Sequence, residues 1–189
     1  MDAYKIIILT SPSGGGKTSI ARHLLQRFPQ LSFSVSAATR QPRAGEVHGR
    51  EYYFLSEEAF RQKIAEDAFL EWEMVYPGKY YGTLKSEIER MWKEGKVPVL
   101  DIDVIGAINV QNLYPGQCLS IFILVPSLLV LQQRLQDRGT ETPESLRARL
   151  EKAEFEMGFK DQFDVVLLND VLAKAQAEAE QVVGQFLEG

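Results

Sequence analysis

Three consecutive glycines and a lysine, in "SPSGGGKTS" at residues 11–19, separate the apolar run "YKIIILT" from the helix-patterned "IARHLLQRF". A glycine triplet weakens any regular element and is costly to order, so bare main chain is needed here, either for a tight turn or for a ligand. The segment fits the spacing G-x-x-x-x-G-K-[ST] at Gly16, Lys17 and Thr18, with Ser11 in place of the first glycine. With a strand before it and a helix after it, successive backbone N–H groups and a helix N-terminus can surround a phosphate, and no side chain blocks the approach. The expectation is a nucleoside triphosphate site. Ser13, Gly14, Gly15, Gly16, Lys17, Thr18 and Ser19 would line it, with Lys17 reaching the β and γ phosphates and the Thr18 hydroxyl ligating Mg²⁺. A merely flexible turn is the weaker reading, because strand, G-K-T core and helix are all present.

Four apolar runs read as strands buried on both faces: residues 5–10, 97–103, 119–125 and 164–169. Helical stripes accompany them, at Ile20, Leu24, Leu25 and Phe28, and at Leu172, Ala175, Ala179, Val182 and Phe186. Strands alternating with helices give an α/β fold, a parallel sheet flanked by helices, with ligands at the carboxyl ends of the strands. In "PVLDIDV", Asp101 and Asp103 alternate with apolar residues, so both carboxylates are expected on one side of that strand at the ligand edge, where one can assist the metal. Between 35 and 83 the pattern changes to short alternating pieces around one helix, Ser56 to Glu66, which reads as an inserted small α/β lobe. Residues 127–157 are charge-rich and helical, with Thr142 as N-cap and Pro143 at the first helical position. The expected organisation is core 1–34, insertion 35–83, core 84–126, helical lid 127–157 and core 158–189.

At 189 residues the chain can bury one sizeable core, and its formal net charge of −5 argues against a nucleic-acid backbone as partner. No apolar run approaches the roughly 20 residues of a membrane span, and "IIIL" is too short for a signal peptide. The lone cysteine, Cys118, lies in an apolar run and reads as a buried strand thiol. These features point to a cytoplasmic protein with no membrane contact, and no obligatory protein partner is inferred.

The segment "SVSAATRQPRAGEVHGREYYF" offers Arg40, Arg43 and Tyr52 with little apolar anchoring, a combination suited to a second anion. Taken with "EWEMVYPGKYYGT" (Glu71 to Thr83) and "LDID", its pattern SxSxxTRxPRxGExxGxxYxF closely resembles the guanylate kinase family, phosphate-loop enzymes that phosphorylate GMP. The resemblance spans nearly the whole chain. It implies phosphoryl transfer from ATP to GMP with Mg²⁺, and it implies a phosphate-loop core, a GMP-binding insertion and a lid.

By that resemblance Arg40, Arg43, Tyr52 and Tyr81 hold the GMP phosphate, and Ser36, Glu71, Thr83 and Asp103 read the base, with Asp101 beside them. Lys17, Arg40 and the lid arginines Arg138 and Arg149 would carry catalysis, with Arg134 and Arg147 as alternates to the lid pair. Asn169 would stand on the adenine side. Guanine presents a ring N–H beside an exocyclic amine, which one carboxylate can accept together; adenine has an acceptor nitrogen there and would leave Glu71 unpaired. The acceptor is itself a phosphate, so no general base is required and catalysis reduces to positioning and charge neutralisation.

The chain departs from the family pattern at Ala37 and Ala38, where hydroxyl residues are common, in a longer "VYPGK" loop, and in Thr83 where serine is usual. Two rival readings are a guanylate-kinase-like binding module without transfer activity and a kinase of another nucleoside monophosphate. The intact Gly16, Lys17, Thr18 and insertion arginines oppose the first, and Glu71 opposes the second.

Overall fold

Strand β1 (Ile6–Thr10) has no polar side chain before its last residue, and every one of its residues is buried. A strand of that kind needs cover on both faces, and it takes the middle of a five-stranded sheet of order β2-β7-β1-β8-β9. The others are β2 (Leu31–Phe33), β7 (Val97–Asp101), β8 (Cys118–Leu124) and β9 (Val165–Leu168). β1 pairs in parallel with β7 (Ile8 opposite Leu100) and with β8 (Ile8 opposite Ser120), and β8 pairs in parallel with β9. All four expected strands are present, but β9, at an edge of the sheet, is not buried on both faces: Val166 and Leu168 are exposed. The computed structural model describes residues 4–137, 139 and 142–189, with Tyr76 described by its backbone alone.

Two units emerge, Met1–Leu31 with Val99–Gly189, and Ser32–Pro98. The first contains helices α1 (Lys17–Arg27), α4 (Val104–Leu113), α5 (Leu128–Gln136), α6 (Pro143–Met157) and α7 (Leu172–Glu188). The buried face of α7 is Ala175, Ala179 and Val183; the two alanines are on the expected stripe, but Leu172 is exposed, and Val182 and Phe186 are half-buried. Glu180, on the α1 side of this helix, accepts from Arg27 at 2.5 Å and pairs with His23 at 3.1 Å.

Helices α5 and α6 close over Val125, Leu131, Leu135 and Ala153. Thr142 caps α6 reciprocally with Ser145, and Pro143 opens it, so the expected helix start is present. Asp103 is not on β7, contrary to expectation. The strand ends at Asp101, and the Asp103 carboxylate instead caps α4, accepting from Gly106 N at 2.6 Å, because the head of that helix has N–H groups to satisfy. Burial, with the charge of Asp164, pushes the Cys118 thiol up to about 12, so it is no nucleophile at neutral pH. No helix among the described residues is long and apolar enough to cross a membrane.

The second unit is a four-stranded sheet of order β4-β3-β6-β5, built from β3 (Ala37–Ala38), β4 (Tyr53–Phe54), β5 (Phe69–Tyr76) and β6 (Lys79–Leu84), with helices α2 (Glu57–Ala65) and α3 (Lys85–Lys93). Phe60 of α2 stacks on Phe69 at 4.2 Å and on Tyr80 at 5.3 Å between ring centres, in a core that also takes Ala37 and Leu84. The register of the β5–β6 hairpin shifts by one residue between Phe69, opposite Leu84, and Glu71, opposite Thr83. Leu70 is therefore the surplus residue of a bulge. It lets Phe69 and Leu84 face the core while Glu71 and Thr83 point to the other side of the sheet. This unit is wider than the 35–83 lobe expected from the sequence, because α3 packs within it through Ile88 and Glu87.

Candidate active site

The loop from Ser11 to Gly16 links the central strand to the head of α1. Gly16 has φ 95°, a left-handed conformation that disfavours side chains, and a Cβ there would collide with the Asn169 amide. At Gly15 a Cβ would come within 2.9 Å of the Ser11 Cβ. Asn169, buried just beyond β9, braces the loop: its Nδ2 donates to Gly15 O at 2.7 Å. Its own backbone is held in turn, since Asn169 N donates to Leu124 O at 2.8 Å and Arg134 Nη2 donates to Asn169 O at 2.8 Å. The resemblance puts Asn169 on the adenine side; in the structure its amide nitrogen serves the loop, and its Oδ1 has no hydrogen-bond partner.

No side chain caps α1, so the N–H groups of Lys17 and Thr18 at its head remain available to an anion, while Ser19 N donates to Gly16 O at 3.1 Å. The Lys17 ammonium forms an ion pair with the Asp101 carboxylate. Arg149 Nη1 donates to Ser13 Oγ at 2.6 Å, which brings α6 to the loop. Arg147 instead pairs with Glu151 at 2.8 Å on an exposed face of α6, and Arg138 lies outside the described residues. Glu156, on the buried side of α6, is missed by the sequence reading. Burial raises its carboxyl above the ordinary range, with Lys152 and Lys17 pulling it back.

Among the described residues no three His, Cys, Asp or Glu side chains cluster as a ready-made metal cage. The Thr18 hydroxyl and the Asp101 carboxylate are hard oxygen donors of the kind Mg²⁺ takes when waters and substrate phosphates complete its shell, so the residues present fit that ion.

The second unit brings Arg40, Tyr52 and Tyr81 together. The Arg40 guanidinium lies 4.8 Å from the centre of the Tyr52 ring, and the Tyr52 and Tyr81 rings are 6.2 Å apart. Glu46 grips Arg40 through both carboxylate oxygens (2.6 and 2.7 Å) and accepts from Arg43 N at 2.7 Å. The Arg40 hydrogen bonds, then the Arg43 N–H, hold its carboxyl down to about 2, and Arg40 moves correspondingly upward. Glu46 has no role assigned from sequence alone; its signal there is an acid placed three residues after the second of two arginines.

Glu71 and Thr83 are buried and directly opposite in register. Ala37 faces Gly82, so Ser36, one residue earlier, continues the same row toward Thr83. Arg43 is exposed, with its backbone N–H on Glu46.

A glycine loop between a central parallel strand and the first helix, with Lys and Thr at the helix head, places the chain among the phosphate-loop α/β nucleotide-binding proteins. A family model described as guanylate kinase matches residues 3–185. A guanylate kinase of Salinibacter ruber is 48% identical over 187 residues, 99% of each chain, and one of Bacteroides fragilis is 46% identical over 97% of this chain and 90% of its own. The crystal structure of guanylate kinase from Anaplasma phagocytophilum superposes with a TM-score of 0.75 at 27% identity, covering 98% of this chain and 87% of that one. The chain belongs to the guanylate kinase family.

Proposed function

We infer that this protein is a guanylate kinase that transfers the γ-phosphoryl group of ATP to GMP, giving ADP and GDP. The observation that carries the reading is the buried Glu71–Thr83 pair, found in a full-length family match that also keeps the phosphate loop intact. A carboxylate there accepts both N–H groups of guanine's edge, and Thr83 has an uncommitted buried hydroxyl beside it.

In this reading the N–H groups of the loop and of the α1 head bind the ATP phosphates, and Lys17 adds a point charge to the β and γ groups. Arg149, already at Ser13, contributes charge at the same phosphates. Arg40, Arg43, Tyr52 and Tyr81 bind the GMP phosphate, and Ser36 joins Glu71 and Thr83 at the base. The Thr18 hydroxyl would hold Mg²⁺ together with the nucleotide, where the ion would supply further charge neutralisation. Residues 35–83 act as the acceptor lobe and 127–157 as the lid. A single unpaired cysteine fits a reducing, cytoplasmic setting.

The test is ADP release with ATP as donor and GMP, AMP, CMP or UMP as acceptor. Turnover with GMP far above the others is expected; absence of GMP-dependent ADP would favour a binding module.

A further inference from the structure

Glu87, on α3, is a buried carboxylate with a side chain 1% exposed, in a sequence ("KSEIERMWKEG") that reads as a solvated helix face. A buried charge is tolerable only when its lone pairs are filled. Here they are. Oε1 accepts from Val35 N at 3.2 Å and Arg90 Nη2 at 2.9 Å, and Oε2 accepts from the Tyr53 hydroxyl at 2.9 Å and Arg90 Nε at 3.0 Å. Arg90 also forks both oxygens of Glu94 at 2.8 Å, so its position is fixed from the far side. Burial pushes the Glu87 carboxyl up, but these hydrogen bonds more than offset it and hold it below the ordinary range, which keeps it ionised.

The groups it grips are the immediate neighbours of residues assigned to GMP. Val35 precedes Ser36, and Ser36 O accepts from Tyr53 N at 2.9 Å, so the backbone on both sides of Ser36 is tied to this one carboxylate. Tyr53 follows Tyr52, whose ring lies under Arg40. Glu87 itself stands four residues after Thr83, on the helix that β6 leads into. Three segments distant in sequence, carrying Ser36, Tyr52 and Thr83, thus meet at one buried charge.

We propose that Glu87 is a positioning residue for the acceptor nucleotide, holding the backbone of Ser36, Tyr52 and Thr83 in one arrangement through Tyr53, Val35 and Arg90. The inference rests on the functional reading above and deepens it. Glu87 touches no substrate; it removes the need to order three segments when the monophosphate binds.

The test compares the parent with Glu87→Gln and Tyr53→Phe, measuring steady-state constants for both substrates, GMP binding by calorimetry, and melting temperature. Tyr53→Phe removes one hydroxyl and keeps the ring, so it decides the matter if Glu87→Gln fails to fold. The expected result is a GMP Kd and KM raised roughly tenfold, with the ATP KM unchanged and kcat within about threefold. A Tyr53→Phe variant whose GMP constants stay within about twofold of an active parent overturns this inference alone, as does a loss shared equally between ATP and GMP. A parent inactive on GMP overturns the functional reading and takes this inference with it.

Discussion

Glu71 and Thr83, twelve positions apart in the chain, face each other directly across the β5–β6 hairpin, at 9% and 1% exposure. The Thr83 hydroxyl has no hydrogen-bond partner, and a buried polar group left so costs about 1–3 kcal/mol. A sheet that retains such a hydroxyl beside a buried carboxylate is prepared for a ligand that gives the hydroxyl its partner.

Replacing Glu71 by Gln turns one acceptor oxygen into an N–H donor aimed at guanine's own N–H groups. The kcat/KM for GMP should fall by roughly 10² or more, with the ATP KM kept. Rates across the four monophosphates check this, and an unaltered preference for GMP would remove Glu71 from the base site.

Lys17 is paired with Asp101 and belongs to the donor loop. Lys17→Ala should lower turnover by at least ~10²-fold while GMP binding, read by calorimetry, stays near the parent value. Loss of GMP affinity in step with turnover would contradict a donor-side role.

Gly16 combines a left-handed backbone with contact to the Asn169 amide. Gly16→Ala should cost about 1–2 kcal/mol from the backbone conformation alone, lowering the melting temperature by roughly 2–8 °C and weakening ATP. Melting curves with and without nucleotide measure it; a variant as stable as the parent, with normal ATP affinity, would show that the loop relaxes freely.

The Glu46 carboxyl stands at about 2 in the folded protein against an ordinary 4.5. A folded value below the unfolded one gives stability that is present above the ordinary pKa and lost as pH falls through the lower one. Glu46→Gln should therefore be less stable than the parent at neutral pH, with the gap closing between pH about 4.5 and about 2. Urea unfolding of both proteins across that range reads the gap. The other depressed carboxyls, Glu87 among them, titrate alike in parent and variant, so a gap that stays constant down to pH 2 would deny the Arg40 pairing in solution.

The buried strands and the phosphate loop are legible in the sequence because their signal is local: unbroken apolar runs, a glycine triplet, a lysine at a helix head. Strands of two or three residues, such as β3 and β4, carry no such signal, since their existence depends on partners elsewhere in the chain. Asp103 was misplaced because alternation alone cannot tell the last residues of a strand from the cap of the next helix. The stripe of α7 is legible at Ala175 and Ala179 and departs at its ends, because a strict spacing of four carries the buried line to Val183 rather than Val182. Glu87 and Glu46 look like ordinary solvated acids; what sets them apart is a partner fixed by tertiary structure for the first and two-point geometry for the second.

A strand has only two sides, and the surplus Leu70 decides which of them residue 71 occupies. With Leu70 drawn into a regular ladder opposite Thr83, the carboxylate would turn inward to the side of Phe69 and the aromatic rings, and an apolar side chain would take its place. A slip of the hairpin into that regular register would thus erase the proposed base reader in one step, whereas mutations at position 71 only change its chemistry. Over evolutionary time the register of this hairpin should be held at least as firmly as the identity of its residues.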